Sequence, residues 1–292
     1  MAQNTIIDIH NHPNWYGHNL DAIVSNMEKY GICKTWLLSW ETSKEEFEVV
    51  PHYYEMMDPR SIATPLWMVI EGLKKYPDKF IGGWAPDPRD RYARAKLKAA
   101  VDIHGIKIFG EFKCRYRYDD PDVITTFQYC GELGLPVLFH LQKPYIDPSK
   151  NSNIIYQWPE WYGGDITVVE TMCKLCPQTK FIGHGPGFWI AISGNDSYES
   201  RLNPIVAGGK LIDYMRTYPN LYCDLSASSG CTAIKRDMDH GMQFLNEFQD
   251  RVMFGRDSFD NELLTTLEQL PLGQNVTNKI LFQNAKKLIA KN

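Results

Sequence analysis

His10 and His12 flank Asn11 at the end of an apolar run, Thr5–His10. Residues two apart on a strand project the same way, so both imidazoles can face one space. Alone, such a pair is as well explained by satisfied polar histidines. Three further residues change the reading. His140 closes Val-Leu-Phe-His, His184 closes Phe-Ile-Gly-His, and Asp257 closes Val-Met-Phe-Gly-Arg-Asp. Each follows an apolar run at the same end. Four imidazoles and one carboxylate suit a borderline divalent cation, Zn²⁺ first, with Mn²⁺ or Fe²⁺ also accommodated. Strand-end caps and loop anchors would also use these residue types, but only through five independent coincidences of position.

Something must bring those five ends together. Eight runs read as strands: Thr5–His10, Lys34–Trp40, Phe80–Trp84, Gly105–Phe109, Pro136–His140, Lys180–His184, Leu221–Leu225 and Arg251–Asp257. Helical patterns lie between them, which is the βαβ signature of a parallel sheet. The turns leading into the strands are short, whereas the segments leaving the second, fifth and sixth are long (41–60, 142–165 and 185–200). A (β/α)8 TIM barrel has this asymmetry, with its active site built from the loops over the C-terminal mouth. We therefore expect an α/β fold with one barrel domain spanning residues 1–292.

Composition limits the alternatives. The chain has 292 residues, of which 43% are hydrophobic and 23% charged, with a net charge of −4. That balance and the absence of a Lys/Arg block argue against nucleic acid as a partner. No apolar run approaches the ~20 residues that span a bilayer, so no membrane partner is expected. The opening residues carry no basic-then-apolar leader, which predicts a soluble cytoplasmic protein. The seven cysteines are odd in number and scattered, unlike a disulfide framework. Cys173 and Cys176 form a CxxC, but no second pair completes a zinc site, and buried thiols are the expected reading.

The motifs Asp8-Ile9-His10-Asn11-His12-Pro13, Phe181-Ile182-Gly183-His184-Gly185, Phe254-Gly255-Arg256-Asp257 and Asn284-Ala285-Lys286-Lys287-Leu288, with the strand-end His140, resemble the amidohydrolase superfamily. The similarity is greatest to its amidohydrolase-related ("amidohydrolase 2") branch and covers essentially the whole chain. That branch contains zinc- or manganese-dependent hydrolases of lactones and related compounds, and non-oxidative decarboxylases. The resemblance implies one catalytic metal per chain, held by His10, His12, His140 and Asp257. It implies that His184 lies beside the metal, contacting bound water or substrate, and is catalytic with or without being a ligand. Two features depart from the family: Ser258-Phe259 follows the last aspartate, and the loop after His184 is bulky.

Other residues near strand ends are candidate pocket residues. Lys107, on the predicted fourth strand, matches the place where binuclear relatives carry a carboxylated lysine. The reading adopted is a lysine pairing with Glu111 or with substrate. Arg115 and Arg117 could clamp a substrate carboxylate or lie in a solvated loop. Glu41, Trp84, Trp189 and Arg256 could line the pocket. Trp15, Tyr16, Trp158, Trp161, Tyr162, Phe188 and Trp189 would form an apolar lid, or equally a subunit interface in a homo-oligomer.

The first functional expectation is a metal-dependent hydrolase of a small organic acid derivative (a lactone, ester or amide). Metal-activated water would attack, Asp257 would shuttle the proton and His184 would steady the oxyanion. The alternative is a metal-dependent decarboxylase of an unsaturated or aromatic carboxylic acid. A metal-stabilised binding protein is the reading from another class. Structural zinc sites are closed by four ligands without extra acid–base groups, which counts against it.

Overall fold

The computed structural model describes residues 6–41, 64–142, 162–195, 197 and 200–290. Eight parallel strands run in chain order: β1 (Ile6–Asn11), β2 (Ile32–Leu37), β3 (Phe80–Gly82), β4 (Phe109–Phe112), β5 (Val137–His140), β6 (Phe181–His184), β7 (Leu221–Asp224) and β8 (Val252–Met253). They form ladders β1-β2-β3 and β4-β5-β6-β7-β8. Two seams close the ring. Lys107 N donates to Gly82 O at 2.9 Å and Trp84 N to Ile108 O at 3.0 Å, joining β3 to β4. Ile9 N donates to Phe254 O at 3.1 Å and Asp257 N to His10 O at 2.8 Å, joining β8 to β1. The fold is the expected α/β TIM barrel.

The strands alternate between two apolar layers. Ile7, Ile9, Trp36, Leu38, Ile108, Leu138, Ile182 and Met253 pack together as the inner layer. Phe109, Val137, Phe139, Phe181, Leu221 and Val252 pack in the layer shared with the helices. Period-two alternation predicts this division. It puts His140 on the same face as Leu138, and His184 on the same face as Ile182. β1 obeys a different parity, because Ile9 is already an inner residue. Its pairing with β2 shifts register between Asp8 and Asn11, and such an irregularity re-aims the side chains that follow it.

The helices start and stop where local chemistry directs. Asn19 accepts from Ala22 N ahead of helix Leu20–Lys29. Asp120 accepts from Asp122 N ahead of helix Pro121–Glu132, which opens on proline. Both are N-caps that satisfy an otherwise unpaired backbone donor. Gly105 ends helix Ala93–His104 in the left-handed conformation, φ 69°. His104 is the last residue of that helix.

Two expectations change here. The fourth strand begins where the sequence reading ended it, at Phe109. The segment after β6 is a buried helix, Pro186–Trp189, continued by a 3₁₀ turn, Ile190–Ile192. Most of segments 41–60 and 142–165, with Trp158 and Trp161, lies outside the described residues. Among the described residues no helix is long and apolar enough to cross a membrane. Cys173 and Cys176 are buried free thiols, each pushed up to about 12 by burial.

Candidate metal centre

Three imidazole nitrogens converge at the C-terminal mouth, and the partner of each opposite nitrogen fixes its tautomer. His10 Nδ1 lies 2.7 Å from Asp224 Oδ2. A carboxylate can only accept, so Nδ1 carries a proton and Nε2 is the nitrogen left to face a cation. His12 Nδ1 donates to Leu38 O at 3.0 Å, with the same consequence. Ser226 Oγ donates to Asp224 Oδ2 at 2.7 Å and so accepts from His184 Nδ1 at 2.9 Å. Three Nε2 atoms are thereby turned inward.

Two carboxylates face them. Asp257 Oδ1 is 3.5 Å from His12 Nε2 and 3.8 Å from His10 Nε2, and its Oδ2 is 3.6 Å from His184 Nε2. Glu111 Oε1 is 3.9 Å from His10 Nε2 and 3.8 Å from His184 Nε2, and its Oε2 is 3.5 Å from His12 Nε2. His10 and His12 Nε2 are 3.2 Å apart. A divalent ion with bonds of about 2.1 Å in tetrahedral coordination separates its ligands by about 3.4 Å. The observed spacings bracket that value. Asp257 Oδ1 is buried and makes no hydrogen bond, a costly condition for a carboxylate that a cation would relieve. The triads His10–His12–Asp257 and His10–Glu111–His184 each have donors close enough to share one ion.

The field of the pocket also selects for positive charge. Burial disfavours the imidazolium of His10, but Asp257, Asp224 and then Glu111 outweigh it and hold its pKa up at about 9. Glu111 is held well below the usual carboxylate range against its burial, by Lys113, the His140 hydrogen bond and His10. Asp224 is likewise depressed against burial by His10 and His184. Asp257 is depressed by His10 and His12. A site that binds a proton this firmly attracts a cation of higher charge.

The backbone around the centre is equally specific. Gly255 leaves room that a Cβ would not: one would lie 2.5 Å from Asp224 Oδ1 and 3.2 Å from His10 Cβ. Gly185 has φ 92°, and a Cβ there would lie 2.7 Å from Leu141 O. Asp257 takes a left-handed conformation, φ 52°, which Asp tolerates better than most residues. Asp8 ties the seam together. Its Oδ1 accepts from His10 N (3.1 Å) and Arg256 N (2.9 Å), and its Oδ2 accepts from Arg256 Nε (2.9 Å).

The remaining candidates fall into three groups. His140 is adjacent to the centre but turned into its support: Nδ1 donates to Glu111 Oε1 at 2.9 Å, and Nε2 lies 2.8 Å from the Gln142 amide. Burial and the neighbouring Lys113 charge push it down to about 4, so it is neutral. Trp84 is buried at the mouth end of β3, and Arg115 lies 5.9 Å from the Tyr162 ring centroid. The others have partners of their own, and Arg256 also lines the cavity that reaches Asp257. Lys107 precedes β4, its backbone N–H donating to Gly82 O, and Glu111 faces the centre from β4 itself. Glu41 accepts from Lys96 Nζ and Asp87 N. Arg117 is an exposed partner of Asp119. Arg256 is held by Asp8 and Asn26. Trp189 is a buried wall whose indole N–H donates to Asp224 O at 3.0 Å.

Sequence reasoning missed the roles of Asp8, Lys113, Asp224 and Ser226, and placed Glu111 only as a partner of Lys107. Asp224 had a usable signal, since it too ends an apolar strand. Lys113 is buried beside Glu111, with its Nζ 5.3 Å from the Tyr162 ring centroid and 5.8 Å from that of Trp40. Trp15 and Trp40 stand edge-on to His12, at 4.7 and 5.2 Å between centroids. A cavity of about 240 Å³ reaches Asp257 from the side of Tyr16, Ser228 and Asp260.

A closed parallel barrel with a buried cluster of histidines and carboxylates at its C-terminal mouth defines a metal-site barrel of the hydrolase and lyase type. The chain belongs to the amidohydrolase family, whose model matches residues 7–290. No curated protein matches it. Solved structures of the same fold include a TIM-barrel protein from Bordetella bronchiseptica, with 18% identity, TM-score 0.63 and coverage of 98% of each chain. A dihydroxybenzoic acid decarboxylase from Polaromonas sp. JS666, holding manganese and the inhibitor 2-nitroresorcinol, has 17% identity and TM-score 0.62 over 98% of this chain and 97% of that one. A candidate 2-pyrone-4,6-dicarboxylic acid hydrolase from Pseudomonas putida has 13% identity and TM-score 0.58 over the same shares.

Proposed function

We propose that this protein is a metal-dependent, non-oxidative decarboxylase of a small aromatic or unsaturated carboxylic acid. The observation that carries this reading is the buried ammonium of Lys113, set between the Trp40 and Tyr162 rings and beside Glu111. It suits a flat, anionic substrate: aromatic walls for the ring, a cation for the carboxylate. Decarboxylases of 2,6-dihydroxybenzoate and of 5-carboxyvanillate share the fold, and a related decarboxylase binds manganese. This reading now ranks above the hydrolase expected from sequence.

We assign one divalent ion to His10, His12, His184, Glu111 and Asp257, with His140 supporting Glu111. Zinc and manganese both fit this mixed nitrogen and oxygen donor set. The bound cation would supply Lewis acidity toward substrate oxygens. Lys113 orients the carboxylate. The bond between that carboxylate and the ring breaks, its electron pair stays on the ring carbon, and CO₂ departs. Asp257, a carboxylate at rest, would take a proton from solvent and hand it to the same carbon, returning to carboxylate. Trp15, Trp40 and Tyr162 keep water from the carbanionic carbon.

Product analysis tests the reading. The metal-loaded protein is offered 2,6-dihydroxybenzoate, 5-carboxyvanillate and 2-pyrone-4,6-dicarboxylate, with CO₂ and ring products measured. Release of CO₂ from an aromatic acid is the expected outcome. Opening of the pyrone without CO₂, and no turnover of either aromatic acid, would replace decarboxylation with hydrolysis.

A further inference from the structure

Helices Pro186–Trp189 and Ala227–Lys235 flank a second, partly open cavity, of about 90 Å³, outside the five-residue centre. That is well above the ~10–15 Å³ one water needs. Its polar lining consists of Arg201, Arg236, Ser228, Ser229 and Thr232, with no carboxylate among the described residues. Arg236 is only partly satisfied. Its Nη1 donates to Ser200 O at 3.2 Å, while Nε and Nη2, both buried, make no hydrogen bond. Ser229 Oγ is buried and unpaired as well. Asp237, the nearest acid to Arg236, is occupied by the backbone N–H groups of Ile205 and His240.

We propose that this cavity is a binding site for a small oxyanion, a carboxylate or a phosphate, with Arg236 as its principal ligand. Nε and Nη2 form one edge of the guanidinium fork, the edge that matches two oxygens of such a group. Ser229 supplies a third donor and Arg201 a second positive charge. Unmade buried donors on a charged group are strongly disfavoured, and an oxyanion would satisfy all three at once. The site is coupled by contact to the metal centre. Trp189 lines the cavity and donates to the backbone of Asp224, which holds His10. Ser228 lines both this cavity and the one reaching Asp257. The anion is therefore either free in solution or the distal acidic group of a molecule extending between the two cavities.

Calorimetric titration of the metal-loaded protein with inorganic phosphate, and separately with acetate, tests this. Saturable binding of at least one anion is expected, weakened about tenfold or more in Arg236→Gln, as loss of a charge-assisted pair predicts. Thr232→Glu, which introduces a carboxylate beside the fork, should abolish that binding, and it carries the test if Arg236→Gln does not fold. Metal content should match wild type in both. Binding of acetate alone assigns the site to a carboxylate-bearing ligand, and binding of phosphate alone to a phosphate. No saturable binding of either anion at millimolar concentrations, or binding unchanged by both substitutions, would overturn the proposal.

Discussion

His10 and Asp224, 214 positions apart, are joined by a 2.7 Å hydrogen bond between two fully buried side chains. The bond sets the imidazole's tautomer and aims its Nε2 at the mouth. Partners of this kind typically change metal affinity by roughly 10–100-fold when lost. Asp224→Ala should therefore bind metal that much more weakly while every inward-facing donor is retained. Competition against a chelator measures it. Unchanged affinity would reduce Asp224 to a packing residue.

Replacing His10 or His12 with Ala should abolish metal retention with little change in the far-ultraviolet circular dichroism. The inner apolar layer beneath the centre does not depend on these imidazoles. A His10→Ala protein that purifies with a full metal complement would show that the ion sits elsewhere.

The protein should hold about one divalent ion per chain, because the donor spacing fits one ion. Lys107→Met should leave that stoichiometry intact, whereas Glu111→Ala should lower it. Elemental analysis with anomalous scattering distinguishes these outcomes. Two ions per chain in the wild type, reduced to one in Lys107→Met, would restore the lysine to the site.

Asp257→Asn is the sharpest test of chemistry. Asn tolerates the left-handed backbone at this position. The amide cannot carry the proton that a carboxyl can. Once a substrate is identified, turnover should fall by at least ~10²–10⁴-fold with the metal still bound. A rate within a few-fold of wild type would remove Asp257 from the reaction and leave it as an anchor of the eighth loop.

Asp8→Ala should destabilise the barrel by about 3–5 kcal/mol, the usual cost of stranding one half of a buried ion pair. Arg256 would lose its carboxylate partner, and the β1–β8 seam would lose the acceptor shared by His10 N and Arg256 N. Denaturant unfolding of the metal-free protein reads this without interference from metal binding. A loss under ~1 kcal/mol would show that backbone pairing alone holds the seam.

The barrel and the inward histidines are legible from one chain of residues because both follow from local pattern. Apolar runs separated by helical periods specify a parallel sheet. A parallel sheet closed into a ring brings all its C-terminal ends to one rim. His10, His12, His184 and Asp257 each mark such an end, so topology alone assembles them. Glu111 was expected only as a partner of Lys107, because the run Ile106-Lys107-Ile108-Phe109 accounts for a whole strand, and a carboxylate beyond it reads as loop. Only the structure starts β4 at Phe109 and carries Glu111 into the centre. His140 ends its strand as predicted, yet its Nδ1 is turned to Glu111, a partner 29 residues away. Asp224 and Ser226 look like ordinary turn residues until β7 lies beside the histidines. Arg256 lines the cavity beside Asp257, but its charge is taken up by Asp8, as that of Glu41 is by Lys96. Periodicity records which face a residue occupies. It does not record which distant partner competes for its hydrogen bonds, and that competition is decided only when the ring closes.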